Sequence, residues 1–300
     1  MTSPCFSAFL RATGDLEDAV KALNLEYEQP VPGQDIFVIH NFAEKFGLNP
    51  AAAQQRLRDN YPRRHGTDPI EWGKPQWVCG DHVALRYRGN VLGRCKMWFQ
   101  NGDPLVEGFI RYYYTGWQKK VLPATANVAS VPFLDAFTRA VNGWLKGHGQ
   151  LETNHYIVTE YANENDGIGQ HYDKARSIHH DSVILVVKTG ECGRPFVITE
   201  NKGDKDDPDR VLYEAVVPPG SAVLMSMKAN LATKHGVPVV KEAAAPSGSI
   251  VLRTICERMT PRSLAQVLAK DAELAARKRK REAEAAKAEQ VAKAAKAADA

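Results

Sequence analysis

The sequence has 300 residues, of which 44% are hydrophobic and 25% charged. That is enough for one sizeable core with a smaller appendage but not for several large domains, and no apolar run nears the length of a membrane span. The net charge of +4 lies wholly in residues 261–300, where ten Lys or Arg face six Asp or Glu, so the balanced body excludes a global field for nucleic acid or acidic partners.

The first residues (MTSPCFSAFLRATGDL) lack a basic segment followed by an apolar one and do not read as a secretory signal. Five scattered cysteines without a CxxC pair argue against a disulfide framework or a zinc site. They point to a reducing compartment, cytoplasmic or nuclear.

Residues 1–70 read as a helical region. FAEKFGLNPAAAQQRLRDNY places a turn at Leu48, Asn49 and Pro50 ahead of a helix from Ala51 to about Asn60. Either an ordinary helical hairpin or a helix-turn-helix fits this pattern.

Residues 71–260 turn to short strands, expected at 83–87, 109–114, 156–161, 182–187, 195–199, 211–217, 222–227 and 249–255. Gly, Pro and Asn/Asp clusters separate them, and one amphipathic helix is expected at 131–145. The fold class expected is α+β, mainly β: a double-stranded β-helix, or jelly roll, with packing helices. Residues 261–300, rich in Ala, Lys, Glu and Arg, read as a helical or disordered basic tail. Within it, residues 277–281 (RKRKR) fit either a nucleic-acid or nuclear-import patch or a solvated helix face.

The chemistry concentrates in YANENDGIGQHYD, residues 161–173. Strand residues two apart share a face, so His171 and Asp173 can reach one metal. His235, between two strand-like stretches, supplies a third ligand. Two imidazoles and one carboxylate on one face leave the remaining positions open for a chelating co-substrate and O2, the arrangement of non-haem iron(II) oxygenases. His179 and Asp181 share the spacing but lack the flexible Gly167 and Gly169 approach.

These residues resemble the AlkB-type 2-oxoglutarate dioxygenases, which remove alkyl groups from nucleic-acid bases by oxidation. The resemblance spans residues 110–253. Tyr112, Tyr113, Tyr114, Thr115 and Gly116 are similar to the segment before the family's core helix. Asn154 opens the strand ending in Tyr161, and Asp166, Ile168, Gly169, His171 and Asp173 keep the family spacing. Arg194 and Phe196, then Gly220 with His235, Gly236, Val237 and Pro238, then Arg253, follow in order.

The resemblance implies Fe(II), 2-oxoglutarate and O2, with His171, Asp173 and His235 on the metal. Tyr161 would donate to a co-substrate carboxylate and Arg253 would pair with one. Thr159 stands where the family has Asn and Ser247 where it has a first arginine, so Lys188, Arg194 or Arg258 must replace that charge. The thymine- and methylcytosine-hydroxylating oxygenases are more distantly similar.

The expected substrate is a modified base in DNA or RNA, single-stranded or flipped from the stack. Tyr112, Tyr114, Trp117, Tyr172 and Arg194 are the candidate contacts, in a stretch that also holds Trp98, Phe99, Arg86, Arg88, Arg94, Lys96, Arg111, Lys119 and Lys120. A protein side chain, a small molecule, or a catalytically silent nucleic-acid reader are the alternatives. Oligomeric state is not legible.

Overall fold

The computed structural model describes residues 11–85, 91–113, 121–202, 210–241 and 245–263, with individual tail residues between 265 and 284. Residues up to Arg258 form one unit and those from Met259 a second.

In the first unit, α1 (Leu16–Lys21) is capped by Asp15, whose carboxylate accepts from the N–H groups of Glu17 and Asp18. Strands β1 (Tyr27–Glu28) and β2 (Ile36–Ile39) follow, then the single turn α2 (Phe42–Lys45) and α3 (Pro50–Asn60). Asn49 caps α3 and Pro50 occupies its first turn, where a missing N–H costs nothing. Helix α3 buries Ala53, Gln54 and Leu57, so it packs into the fold as a backing helix. Between these helices β2 joins the main sheet, a strand that the helical reading of the N-terminal region lacked.

Next come β3 (Arg63–Arg64), β4 (Trp77–Val78), β5 (Cys95–Gln100), α4 (Pro104–Glu107), β6 (Phe109–Tyr113), β7 (Val121–Pro123) and β8 (Ala126–Asn127). Two expectations fail here. Residues 83–85 are a turn, because the His82 ring accepts from the Ala84 N–H and diverts the local backbone. The buried β5 was not anticipated, since its polar Lys96 and Gln100 mask the apolar pattern. It brings Cys95 beside Cys79, with the sulfurs 2.6 Å apart and Arg63 Nη1 3.2 Å from Cys95 Sγ. None of the four described cysteines forms a disulfide.

Helix α5 (Pro132–Gly147) buries Leu134, Phe137, Val141 and Leu145 at helical spacing. The remaining elements are β9 (His155–Tyr161), β10 (Ile168–His171), β11 (Val183–Gly190), β12 (Arg194–Glu200), β13 (Val211–Val217), β14 (Ala222–Ser226), α6 (Met227–Ala232), β15 (Thr233–Val237) and β16 (Ser247–Arg253). Strands β9, β11, β12, β13, β14 and β16 match the expected strands to within a few residues, whereas β10, α6 and β15 were not among them.

The main sheet runs β1-β2-β14-β11-β16-β9-β5-β4-β3, with β8 against β5, and the second sheet runs β10-β15-β12-β13. Every residue of the central β11 is buried, which is why its sequence is an apolar run without alternation. One core packs α1, α3 and α5 against the back of the main sheet. A second core, including Ile184, Val186, Val223, Phe196, Ile198 and Val237, lies between the two sheets. This is the expected jelly roll, and the space between its sheets holds the site.

In the second unit the described residues from Pro261 are helical and the described ones beyond 263 are exposed. Arg277 pairs with Glu273 at 2.6 Å, and Lys280 with Glu284 at 4.0 Å, each one helical turn apart. Among the described residues, no helix is long and apolar enough to cross a membrane.

Candidate metal centre

Strand β10 pairs with β15 so that His171 stands opposite His235. Cross-strand partners on one face approach closely, and the two imidazole centroids are 4.6 Å apart. Asp173 lies two residues beyond His171. One donor atom from each of the three falls within 4.8 Å of the others.

The ring orientations suit ligation. His171 Nδ1 lies 2.8 Å from the Gly169 carbonyl oxygen. A carbonyl only accepts, so Nδ1 carries the proton and Nε2 keeps its lone pair on the Asp173 side, 4.0 Å from Oδ1. His235 lines the cavity, and its Nδ1 is buried without a hydrogen-bond partner. Burial, then the neighbouring His171, pushes the His235 imidazole down to about 3, so it stays neutral, as a ligand must. Two neutral imidazoles with one carboxylate form a donor set that fits Fe(II).

Asp173 is fixed on every side. Its N–H donates to Asn230 Oδ1 and its carbonyl accepts from Asn230 Nδ2, both at 2.8 Å. The Tyr112 hydroxyl donates to Oδ1 at 3.2 Å, and Arg253 Nη1 donates to Oδ2 at 2.7 Å. Burial alone would raise the carboxyl, but Arg253, with the two imidazoles, holds it at about 2.

The triad opens on a cavity of about 420 Å³ between the sheets. Its apolar wall includes Trp98, Ile157, Val186, Phe196 and Val251, and its polar groups include Arg94, Lys96, Thr159, Tyr161 and Ser249. Tyr161 is hydrogen-bonded to Ser249, and burial raises its hydroxyl to about 12, so it remains a neutral donor.

Arg253, expected to pair with a co-substrate acid, lines the cavity and pairs with Asp173 through Nη1, and its guanidinium also lies 3.9 Å over the Tyr112 ring. Tyr112 is buried and lines the cavity, and its hydroxyl donates to Asp173 Oδ1, so it supports the candidate metal ligand. Arg194 is 1% exposed, and its donors go to Ser247 Oγ at 2.8 Å and to the carbonyls of Asp166 and Asn163. It ties down the loop before β10 and is closed to substrate. Phe99 faces the helix-side core.

Tyr172 does line the cavity, with the Lys174 ammonium 3.8 Å from its ring centroid. Tyr114, Trp117, Arg86, Arg88, Lys119 and Lys120 lie outside the described residues. His179, His180 and Asp181 also cluster, but they share one turn and do not line the cavity. Asn230 carried no signal in the sequence, because an asparagine in a short apolar helix looks like any polar surface residue.

No family model and no curated protein matches the chain. Among solved structures it is similar to an oxidoreductase of the 2OG-Fe(II) oxygenase family from Burkholderia pseudomallei (TM-score 0.41, 12% identity, 85% of this chain and 96% of that one). It is similar also to a bsmA homolog from Methylobium petroleophilum (TM-score 0.43, 12% identity, 82% and 94%). A third likeness is to a prolyl hydroxylase from Trichoplax adhaerens in complex with a hypoxia-inducible-factor peptide (TM-score 0.41, 13% identity, 80% and 92%). These likenesses are loose, and the reading of the site rests on its own residues.

Proposed function

We propose that this chain is a mononuclear non-haem iron(II) oxygenase that uses 2-oxoglutarate and O2 to oxidise a carbon substituent on a nucleobase. The observation that carries the proposal is the convergence of His171, Asp173 and His235 at a cavity, with donor atoms within 4.8 Å of one another.

His171, Asp173 and His235 would hold the iron, which with its co-substrate and O2 supplies the oxidising power. Arg253 and Tyr112 keep the Asp173 carboxylate ionised, and Asn230 holds its backbone in place. Tyr161 and Ser249 offer neutral hydroxyls to an acid inside the cavity. Trp98, Ile157 and Val251 make an apolar wall that excludes bulk water from the reacting groups.

The substrate class is supported by charge and by one ring. Arg94, Lys96, Lys174 and Arg253 line the cavity against the single carboxylate of Asp173, an environment suited to anionic ligands. Tyr172 supplies an aromatic surface for a flipped or single-stranded base.

The proposal is tested by adding Fe(II) and 2-oxoglutarate without oxygen, which is expected to give a weak visible charge-transfer band that His171→Ala abolishes. Turnover with methylated oligonucleotides, read by mass spectrometry of the nucleosides, then tests the substrate. Oxidation of peptides with untouched nucleosides would replace the base by a protein side chain.

A further inference from the structure

We infer that Cys79 and Cys95 form a redox modification site, at which a peroxide converts the two thiols to a reversible disulfide. The site stands apart from the candidate metal centre and does not depend on the oxygenase reading. It gives a role to a pair of side chains that the proposed reaction leaves unused.

The sheet register brings the two residues together. Val78 on β4 pairs with Lys96 on the antiparallel β5, so the following residue, Cys79, stands opposite Cys95. The N–H groups of Trp77 and Cys79 donate to the carbonyls of Pro62 and Arg64, on the β3 side. Backbone groups alternate sides along a strand, so Val78 bonds to β5 and Cys79 with Cys95 is a non-hydrogen-bonded pair. Such pairs have Cα atoms about 4.5 Å apart, within the range of about 4.4–6.8 Å that disulfides span. The sulfurs already lie 2.6 Å from each other. Both side chains pack on the helix-side core, whereas Lys96, the next residue along β5, lines the cavity. The two thiols therefore sit on the face of the sheet turned away from His171, Asp173 and His235.

The surroundings activate one thiol of the two. Cys95 Sγ donates to Cys79 Sγ, and Arg63 Nη1 lies 3.2 Å from Cys95 Sγ and 3.9 Å from Cys79 Sγ. Arg63 is itself held in place, with Nη2 2.7 Å from the Glu160 carboxylate. The Cys95 S–H, then His65 and Arg63, lower the Cys79 thiol to about 7 against the opposing effect of burial. The thiolate is the nucleophile, and a neighbouring cation with a second thiol at hand marks a cysteine for reversible oxidation. Cys79 is buried, while Cys95 is half-buried and gives a small oxidant its way in.

The chemistry balances with one hydrogen peroxide per pair. The Cys79 thiolate attacks a peroxide oxygen, the O–O bond breaks, and the leaving hydroxide takes a solvent proton to become water. The Cys95 sulfur then attacks the sulfenic sulfur of Cys79, so that an S–S bond forms and the S–O bond breaks. The departing hydroxide takes the Cys95 proton and leaves as a second water. Two electrons pass from the thiols to the peroxide. The bond closes a ring of chain that includes Leu85, Leu92 and Arg94, all of which line the cavity. Oxidation thus restrains that part of the cavity wall.

The test exposes the reduced full chain to hydrogen peroxide, alkylates the remaining thiols and maps them by peptide mass spectrometry. A cross-link between Cys79 and Cys95 is expected, with alkylatable cysteines falling by two from the five in the chain and returning with dithiothreitol. The pair should react at least about 10-fold faster than Cys192 or Cys256. Cys95→Ser should stop at a sulfenic acid on Cys79 that dimedone captures, with the fold checked by circular dichroism. Wild type in which Cys79 and Cys95 stay alkylatable overturns the inference. So does a cross-link from either residue to another cysteine, or oxidation of both to sulfinic acids without a bond between them. The wild-type map needs no variant to fold.

Discussion

Arg253 Nη1 lies 2.7 Å from Asp173 Oδ2, so the arginine that closes β16 is paired with the carboxylate of the candidate metal centre. Both groups are almost fully buried, at 3% and 9% side-chain exposure. Removing one partner of such a pair typically costs about 3–5 kcal/mol, because the other is left as an uncompensated charge. Arg253→Met is expected to lower stability by that order and metal affinity by about 10–100-fold. Chemical denaturation and Mn(II) titration read the two effects. Unchanged metal affinity would show that the pair is only structural.

Asn230 holds the backbone of Asp173 through two hydrogen bonds of 2.8 Å and is itself fully buried. Asn230→Leu leaves an N–H and a carbonyl without partners at the point where the ligand must be held. A loss of about 1–3 kcal/mol per orphaned group is expected, with roughly tenfold weaker metal binding. Rescue of metal affinity by Asn230→Asp but not by Asn230→Leu would tie the effect to the hydrogen bond.

Arg194 offers a test of a corrected role. Arg194→Leu removes the donors to Ser247, Asp166 and Asn163, and is expected to cost on the order of 3 kcal/mol. Metal stoichiometry should persist in the folded variant. A raised KM for substrate at unaltered stability would instead restore the substrate contact.

The metal triad was legible because two ligands share a strand face and the third follows at a spacing that survives in the sequence. The jelly roll was legible from short apolar runs such as 183–187, which became β11. What escaped depended on partners far apart in the chain. Strand β5 was hidden because Lys96 and Gln100 point into polar niches that only the fold creates. The contacts of Arg253 and Tyr112 with Asp173 escaped because that residue is 80 and 61 positions away. Cys79 and Cys95 likewise meet only across β4 and β5, without a sequence motif to announce them.

The buried His155 gives a dependence on pH. It is fully buried, neither ring nitrogen has a hydrogen-bond partner, and burial followed by Arg253 lowers its pKa well below the usual value of 6.5. The unfolded chain therefore takes up a proton near pH 6.5 that the folded chain refuses. Stability is complete above that pH and declines as the pH falls below it. The slope is at most about 1.4 kcal/mol per pH unit for one group. With chelator present, the stability of wild type should fall more steeply between pH 6.5 and 5 than that of His155→Leu. Parallel curves would show that His155 titrates normally in the fold.

The central claim is that His171, Asp173 and His235 make one metal centre. Anaerobic Fe(II) or Mn(II) titration of the full chain, with metal counted per protein, measures this directly. Roughly one metal per chain is expected, with affinity reduced by about 100-fold or more in Asp173→Ala and His235→Ala and unaltered in His179→Ala. Equal binding by wild type and the two triad variants, or a loss confined to His179→Ala, would contradict the claim.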